Sequence, residues 1–96
     1  MAKAILFSLE VILFLVMYYV YVLVSETRNY IYVGITDNLE RRISYHNAGY
    51  NKKTKAYRPF YVLLTEEYPS RIEARLREKY LKSGVGKEFL KTQLHH

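Results

Sequence analysis

The chain has 96 residues, no cysteine and a formal net charge of +6 at pH 7. This length is that of a single domain, and the lack of cysteine excludes a disulfide framework and any zinc or iron–sulfur site built on thiolates. Half of the residues are apolar and a quarter are charged, a balance typical of globular chains. Eleven tyrosines beside a basic charge suit a nucleic-acid-binding protein, and they suit a chain rich in β-strands equally well.

The chain begins with an apolar run over residues 4–24, long enough to span a bilayer. Glu10 interrupts this run at a cost of about 2–3 kcal/mol at bilayer depth, and the second half of the run is β-branched and aromatic, as in a strand. We therefore expect residues 1–16 to be an extension of a domain that spans residues 17–94.

Three origins of that extension stay open: a start codon assigned upstream of Met17, a membrane-associated helix, or an extra helix that packs on the domain. A cytoplasmic location is expected, and membrane association is not expected unless residues 1–24 form a helix.

The first predicted elements of the domain form a β-hairpin. One β-rich run covers residues 18–24, a second begins at Tyr30, and the polar segment Ser25 to Asn29 separates them. Side chains alternate along a strand, so Tyr19 and Tyr21 share one face with Tyr30 and Tyr32, whereas the valines and isoleucines take the other. In a generic protein, cross-strand aromatic packing explains such a tyrosine face.

The next elements are a helix and a strand. Asp37 is predicted to cap a helix that runs to about Asn47, with Glu40 completing a capping box. Pro59 precedes a third strand over residues 60–65.

The last elements are two helices. A second capping box, Pro69 to Glu73, starts a long helix that runs to about Ser83. Gly84 and Gly86 are expected to break it before a short last helix over residues 87–93. The order is β-β-α-β-α-α, an α/β (α+β) domain with a three-stranded, mostly antiparallel sheet flanked by helices.

A stretch without acidic residues lies between the first helix and the third strand. Its basic residues are Arg41, Arg42, Lys52, Lys53, Lys55 and Arg58. Such a patch attracts a polyanion, and Tyr45, Tyr50 and Tyr57 within it could stack on bases. A solvated loop is the alternative interpretation.

Three charged or titratable side chains occupy core-facing positions of the predicted helices. Arg42 and His46 fall on the stripe of the first helix that carries Leu39 and Ile43. Burying such polar side chains at core-facing positions costs free energy unless they line a cleft. A lone histidine at such a position is usually a hydrogen-bonded residue of the core. In the long helix, Glu78 lies on one stripe with Ala74 and Leu81, and a second stripe holds Ile72, Leu76 and Tyr80. Glu78 is either ion-paired with neighbouring basic residues or a single carboxylate ligand for Mg²⁺.

Five short motifs follow one another along the chain: Tyr19-Val20-Tyr21, Tyr32-Val33-Gly34, Ile35 to Arg42, His46 to Gly49, and Ala74 to Lys82. In this order and spacing they resemble the GIY-YIG nuclease domain over about residues 17–91. The resemblance is strongest to small stand-alone bacterial members, and it extends more distantly to the nuclease domain at the start of the excinuclease C subunit.

The resemblance implies a set of catalytic residues. Tyr21 and Tyr32 would orient or deprotonate the attacking water, Arg42 would stabilise the pentavalent phosphate, and Glu78 would bind one divalent metal, Mg²⁺ or Mn²⁺. His46 lies where several members place a histidine or tyrosine near the nucleophile. Clustered positive charge is expected to help ionise the tyrosine.

Positions that differ from the family pattern refine this picture. Gly34 agrees with the pattern, since it closes the second motif and lets the backbone approach the cleft closely. Tyr19 departs from the pattern, since it replaces the glycine of the first motif. Ile35 stands where the excinuclease branch has a lysine thought to activate the base, so that role would pass to His46. The late asparagine of several members has no clear counterpart.

The resulting hypothesis is a metal-dependent DNA endonuclease that uses no small-molecule cofactor and attacks with water directly. A repair- or recombination-linked role on branched, nicked or damaged DNA is compatible with the resemblance, and RNA is not excluded as a partner. The alternatives are a non-catalytic nucleic-acid-binding module on the same fold and a membrane-tethered protein that uses residues 1–24.

Overall fold

The computed structural model describes residues 16–94. In chain order its elements are strand β1 (Tyr18–Ser25), strand β2 (Ile31–Thr36), helix α1 (Leu39–Asn47), a single 3-10 turn (Lys55–Tyr57), strand β3 (Phe60–Tyr68), helix α2 (Arg71–Lys82) and helix α3 (Gly84–Leu94). The predicted order β-β-α-β-α-α is confirmed, and β3 is three residues longer than expected.

The prediction that residues 1–16 form an extension falls outside the described residues, apart from Val16, which is exposed. Within residues 16–94, no helix combines the length and the apolarity that crossing a bilayer requires. Because β1 is a strand from Tyr18 onward, one membrane helix over residues 1–24 is ruled out.

The three strands form one antiparallel sheet in the order β2-β1-β3. Since β1 pairs on both sides, its side chains are the most deeply buried, and burial of each large apolar one contributes about 1.5–3 kcal/mol. The register sets Tyr21 opposite Gly34 and Leu23 opposite Tyr32, which makes the tyrosine face continuous across the hairpin. A bulge in β3 opposite Val22 and Leu23 shifts its register.

The predicted tyrosine and aliphatic faces are confirmed, and each is covered by different helices. The aliphatic face packs on α2 and α3, and the buried residues of this layer are Val20, Val22, Val33, Ala74, Leu81 and Leu90. The tyrosine face packs on α1, and the members of this layer include Tyr21, Leu23, Phe60, Leu39 and Ile43. The sheet therefore lies between α1 on one side and α2 with α3 on the other.

The N-terminus of α1 differs from the prediction by one residue. Asn38, not Asp37, is the cap, because its extended backbone lets its side-chain oxygen accept the backbone N–H of Arg41 at 3.1 Å. Thr36 Oγ1 in turn accepts the Asn38 backbone N–H at 3.0 Å, which holds the cap in place. The capping role of Ser70 and Glu73 at the start of α2 is confirmed, since Ser70 Oγ accepts the Glu73 backbone N–H at 3.2 Å.

The prediction that Gly84 and Gly86 break the last two helices apart is wrong, because both belong to α3. The break is at Ser83, whose Oγ accepts the Gly86 backbone N–H at 3.2 Å and so caps α3. A Cβ on Gly86 would lie 2.0 Å from the carbonyl oxygen of Tyr80. The glycine thus allows the first turn of α3 to pack directly on the end of α2.

Candidate active site

The hydroxyl of Tyr21 lies at the centre of a hydrogen-bonded cluster on the tyrosine face. Tyr21 is 1% exposed, and its Oη is 2.9 Å from His46 Nε2. The same oxygen accepts a hydrogen bond from Arg42 Nε at 3.4 Å. Both partners come from α1, where the i, i+4 spacing places them on the face that packs on the sheet. The predicted inward position of Arg42 and His46 is therefore confirmed.

Gly34 provides the space that the Tyr21 hydroxyl occupies. It pairs with Tyr21 across β1 and β2, and a Cβ at this position would lie 2.5 Å from Tyr21 Oη and 2.6 Å from its Cζ. Any side chain larger than hydrogen would displace the phenol ring. The glycine of the second motif is thus needed at this point for a steric reason.

His46 is fully buried, at 0% exposure, and both of its ring nitrogens are hydrogen-bonded. Nε2 contacts Tyr21, and Nδ1 is 2.9 Å from Oγ1 of Thr54. Burial, reinforced by the charge of Arg42, lowers the pKa of His46 to about 4. The imidazole is consequently neutral at pH 7.

Burial also controls the protonation of Tyr21. It raises the pKa of the Tyr21 phenol to about 12, although the hydrogen bond from Arg42 acts in the opposite direction. The expectation that clustered positive charge ionises this tyrosine is not met in the free protein, because desolvation of the phenolate outweighs the single guanidinium. The pKa of Arg42 is raised by its hydrogen bond to Tyr21, so the guanidinium stays charged.

Tyr32 lies beside this cluster and is partly exposed. Its ring centroid is 4.7 Å from that of His46 and 6.1 Å from that of Tyr21. Tyr19, two residues before Tyr21 on β1, is paired with Thr36 and Glu67 on the neighbouring strands. The structure therefore brings together Tyr21, Tyr32, Arg42 and His46, with Gly34 as their steric partner.

Glu78 lies on α2, on the stripe whose neighbours Ala74 and Leu81 pack on the aliphatic face. It is 5% exposed, and its two carboxylate oxygens accept hydrogen bonds from Arg75 at 2.8 Å and from Lys82 at 3.2 Å. Between residues 16 and 94, no hydrogen bond links Glu78 to the Tyr21 cluster. The ion-paired state that the sequence left as one alternative is thus present.

A groove of about 430 Å³ opens beside the cluster and is lined by three arginines. These are Arg41 and Arg42 from α1 and Arg71 from the first turn of α2. Tyr45 and Asp37 also line the groove, and the guanidinium carbon of Arg42 lies 4.7 Å from the centroid of the Tyr45 ring. Positive charge concentrated in a concave surface attracts an anion such as a phosphate.

The remaining predicted basic residues lie on the exposed loop between α1 and β3 and do not line this groove. They are Lys52, Lys53, Lys55 and Arg58. Of the tyrosines in the patch, Tyr50 is 71% exposed, and its ring centroid lies 5.7 Å from that of Tyr45. Tyr57 instead stacks on Tyr30, with centroids 3.8 Å apart and rings inclined by 6°.

Sequence reasoning missed two residues at this site. Arg71 follows a helix cap, and only the tertiary fold brings it into the groove with Arg41. Thr54 stands between lysines in what reads as a solvated loop, yet it is 0% exposed and holds His46. No local pattern in the sequence signals either position.

The model of the GIY-YIG catalytic domain family matches residues 17–91 of the chain. The chain belongs to the GIY-YIG family. This is a family of nuclease domains, so the coarse activity is that of a nuclease and the substrate is a nucleic acid. Nucleases of this family generally depend on a divalent metal.

Relatives of similar size come from both bacteria and archaea. A UPF0213 protein of Staphylococcus haemolyticus is 39% identical over 75 residues, covering 77% of this chain and 90% of its own. A UPF0213 protein of Halobacterium salinarum is 38% identical over 77 residues, covering 77% of this chain and 99% of its own. The solution NMR structure of a UPF0213 protein from Bacillus halodurans is 34% identical, with a TM-score of 0.49 over 79% of this chain and 83% of that one. The family match and the two sequence relatives show that the chain is similar to small stand-alone GIY-YIG proteins.

Proposed function

We propose that this GIY-YIG protein is a metal-dependent endonuclease that hydrolyses a DNA phosphodiester bond by direct attack of water. The observation that carries the proposal is the position of Arg42, which lines the arginine groove and also donates to Tyr21 Oη. One guanidinium therefore connects the surface where a phosphate would bind with the side chain that would accept a proton from water.

In this proposal the groove binds the scissile phosphate through Arg41, Arg42 and Arg71. Charge that develops on the phosphate oxygens during attack is met by the guanidinium of Arg42, which is fixed in place before the reaction. Tyr21 acts as the general base, with Tyr32 beside it to orient the water, and Arg42 and His46 hold its hydroxyl in place through their hydrogen-bond contacts.

The base is almost entirely protonated in the free protein. With the pKa of Tyr21 at about 12, the phenolate fraction at pH 7 is about 10⁻⁵. Catalysis therefore requires a further positive charge near Tyr21 in the complex, or a slow turnover at neutral pH.

Glu78 is the residue proposed to hold the divalent metal. Within residues 16–94 no three His, Cys, Asp or Glu side chains cluster as a metal site, so the proposed site is one carboxylate completed by water and substrate phosphate, as Mg²⁺ commonly accepts. Arg75 and Lys82, which hold the carboxylate oxygens, are themselves largely exposed and can move away. When bound, the metal would supply charge stabilisation for the leaving oxygen.

A cleavage assay with a matched variant tests this role. Glu78→Gln keeps the shape of the side chain and is expected to abolish Mg²⁺- or Mn²⁺-dependent cleavage while salt-sensitive DNA binding persists. Glu88→Gln is the control, because Glu88 is an exposed helical glutamate that is also ion-paired with a lysine, and it should cleave like the wild type. Equal cleavage by both variants would exclude Glu78 as the metal ligand.

The substrate is tested with a panel of duplex, single-stranded, flap, nicked and junction DNA, together with RNA. Preferential cleavage of branched, nicked or damaged DNA would support a repair- or recombination-linked role. Cleavage of RNA alone would contradict the choice of DNA.

A non-catalytic binding module is the second candidate. It is favoured by the ion pairs that occupy both oxygens of Glu78 and by the protonated state of Tyr21. If the wild-type protein binds the panel and cleaves none of it with any divalent metal, this candidate replaces the endonuclease.

A further inference from the structure

Strand β2 forms one edge of the sheet, and no strand of the described chain pairs with its outer side. The direction of its backbone groups follows from one hydrogen bond, in which the Ser25 N–H donates to the Tyr30 carbonyl at 3.0 Å. In an antiparallel pair, hydrogen-bonded and non-hydrogen-bonded residues alternate. Tyr30 and Tyr32 therefore point their N–H and C=O groups toward β1, whereas Ile31 and Val33 point theirs outward.

Strand β2 lacks the features that normally protect an edge. Proteins place charged residues, proline or a β-bulge on edge strands to prevent pairing with another chain. The residues Ile31–Thr36 include no charged residue and no proline, and their register with β1 has no shift. The outward N–H and C=O groups of Ile31 and Val33 are thus available to an added strand.

A groove of about 500 Å³ opens at this edge. Ile31 and Val33 line it from the sheet, and Leu81 and Leu90 line it from α2 and α3. The groove shares no lining residue with the arginine groove at the other end of β2. It therefore places an aliphatic surface beside the outward backbone groups.

Three lysines line the same groove, and no acidic residue between residues 16 and 94 does. They are Lys82 at the end of α2 and Lys87 and Lys91 on α3. Lys82 and Lys91 also contact Glu78 and Glu88, yet more than half of each lysine side chain is exposed. This groove, called the lysine groove below, therefore attracts a ligand that carries negative charge.

We propose that the lysine groove is a docking site for an extended acidic segment of a partner protein, which adds a strand to β2. The peptide backbone pairs with the outward groups of Ile31 and Val33. Aliphatic side chains of the segment pack on Leu81 and Leu90, and its carboxylates meet the lysines. This docking does not depend on the proposed endonuclease function.

Two other occupants fit the edge less well. The backbone of a nucleic acid has no N–H donors, so it cannot form the alternating bonds that the edge offers. A second copy of the chain would bring two sets of three lysines together, and like charges across an interface disfavour association. An acidic peptide satisfies both the backbone groups and the charge.

The test uses the ¹⁵N-labelled full chain and a short capped peptide in which every second residue is threonine and the others are valine and glutamate in turn. Binding should shift the amide signals of Ile31 and Val33 and slow their hydrogen exchange. Only one alternate set of peptide amides can face β2. Methylation of that set should abolish binding, and methylation of the other set should leave it unchanged.

The charge of the lysine groove is tested with a double variant, Lys87→Glu with Lys91→Glu. It should bind the peptide on the order of 10-fold more weakly than the wild type. A peptide with lysine in place of glutamate should bind this variant better than it binds the wild type. Lys52→Glu with Lys53→Glu is the control, because both lysines lie on the exposed loop, and it should bind the acidic peptide like the wild type.

Four results would overturn the proposal. They are no shift of the Ile31 and Val33 signals with the acidic peptide, tolerance of both methylated peptides, equal binding by the wild type and the Lys87→Glu, Lys91→Glu variant, or protection of the same amides by DNA alone. A concentration-dependent dimer that protects these amides without peptide would assign the edge to a second copy and would also contradict it. Absence of cleavage by the wild type bears on the endonuclease function only.

Discussion

The buried, neutral His46 makes stability depend on pH in a way that can be calculated. Its pKa falls from 6.5 in the unfolded chain to about 4 in the folded protein. Between these values the unfolded state binds a proton that the folded state does not, so stability is lost as the pH falls. The full difference corresponds to at most about 3 kcal/mol, of which about 2 kcal/mol falls between pH 7 and pH 5.

The assay is urea denaturation followed by far-ultraviolet circular dichroism at several pH values between 5 and 7. This window lies above the range in which carboxylates titrate, which separates His46 from groups such as Glu66, whose lowered pKa acts at more acidic pH. The wild type should lose about 2 kcal/mol of unfolding free energy across the window, and His46→Gln should lose very little. Parallel curves for the two proteins would refute the claim that His46 is held neutral by burial.

Three further predictions concern the site. Gly34→Ala places a Cβ 2.5 Å from Tyr21 Oη, so we expect a destabilisation of about 1–3 kcal/mol and loss of cleavage, whereas Gly84→Ala, with no atom within 4 Å of its Cβ, should leave cleavage unchanged. Because the pKa of Tyr21 is about 12, kcat should rise about tenfold per pH unit between pH 7 and 9, and a flat profile would exclude an unassisted Tyr21 as the base. Replacing the loop lysines by glutamine should reduce the slope of log K against log salt by about 0.9 for each phosphate that is no longer neutralised. The targets are Lys52, Lys53 and Lys55. The same change at Lys79, Lys87 and Lys91 is the control, and an equal effect of both sets would remove the loop from the interface.

The arrangement of the cluster has a consequence for how the proposed activity is controlled. In the free protein Tyr21, the proposed base, is protonated, and Glu78, the proposed metal ligand, is ion-paired. Both conditions would be altered by a bound cation, which favours the phenolate of Tyr21 and competes with Arg75 and Lys82 for the carboxylate of Glu78. We therefore expect activity to depend on substrate and metal binding together, which is measurable as a metal affinity that increases when uncleavable DNA is present.

Residue type and periodicity were sufficient to predict the strands, the two faces of the hairpin and the inward stripe of α1. Alternation along β1 depends only on backbone geometry, and the positions of Arg42 and His46 follow from the 3.6-residue turn. The same periodicity could not decide which stripe of α2 is buried. Ala74 and Leu81 face the sheet, whereas Ile72 and Leu76 are exposed, because the sheet surface rather than the helix selects the contact.

The prediction was wrong where two neighbouring side chains could both cap a helix, and where a glycine could either end a helix or allow close packing. Asn38 rather than Asp37 is the cap, because Thr36, two residues earlier, accepts the Asn38 backbone N–H and the Asn38 side chain accepts that of Arg41. Gly86 did not end a helix, because its missing side chain serves close packing between α2 and α3. Neither distinction is present in the order of the residues alone.

The sequence by itself determined the order of the elements, the tyrosine face, the basic net charge and the motifs that mark the family, because each depends on residues close together in the chain or on composition. Only the tertiary structure decided that burial keeps Tyr21 protonated, that Glu78 is ion-paired, that Arg71 joins the groove and that Thr54 holds His46. These properties depend on desolvation and on distances between side chains that are far apart in sequence. A charge of +6 distributed along a chain does not reveal which groups lose their water when the chain folds.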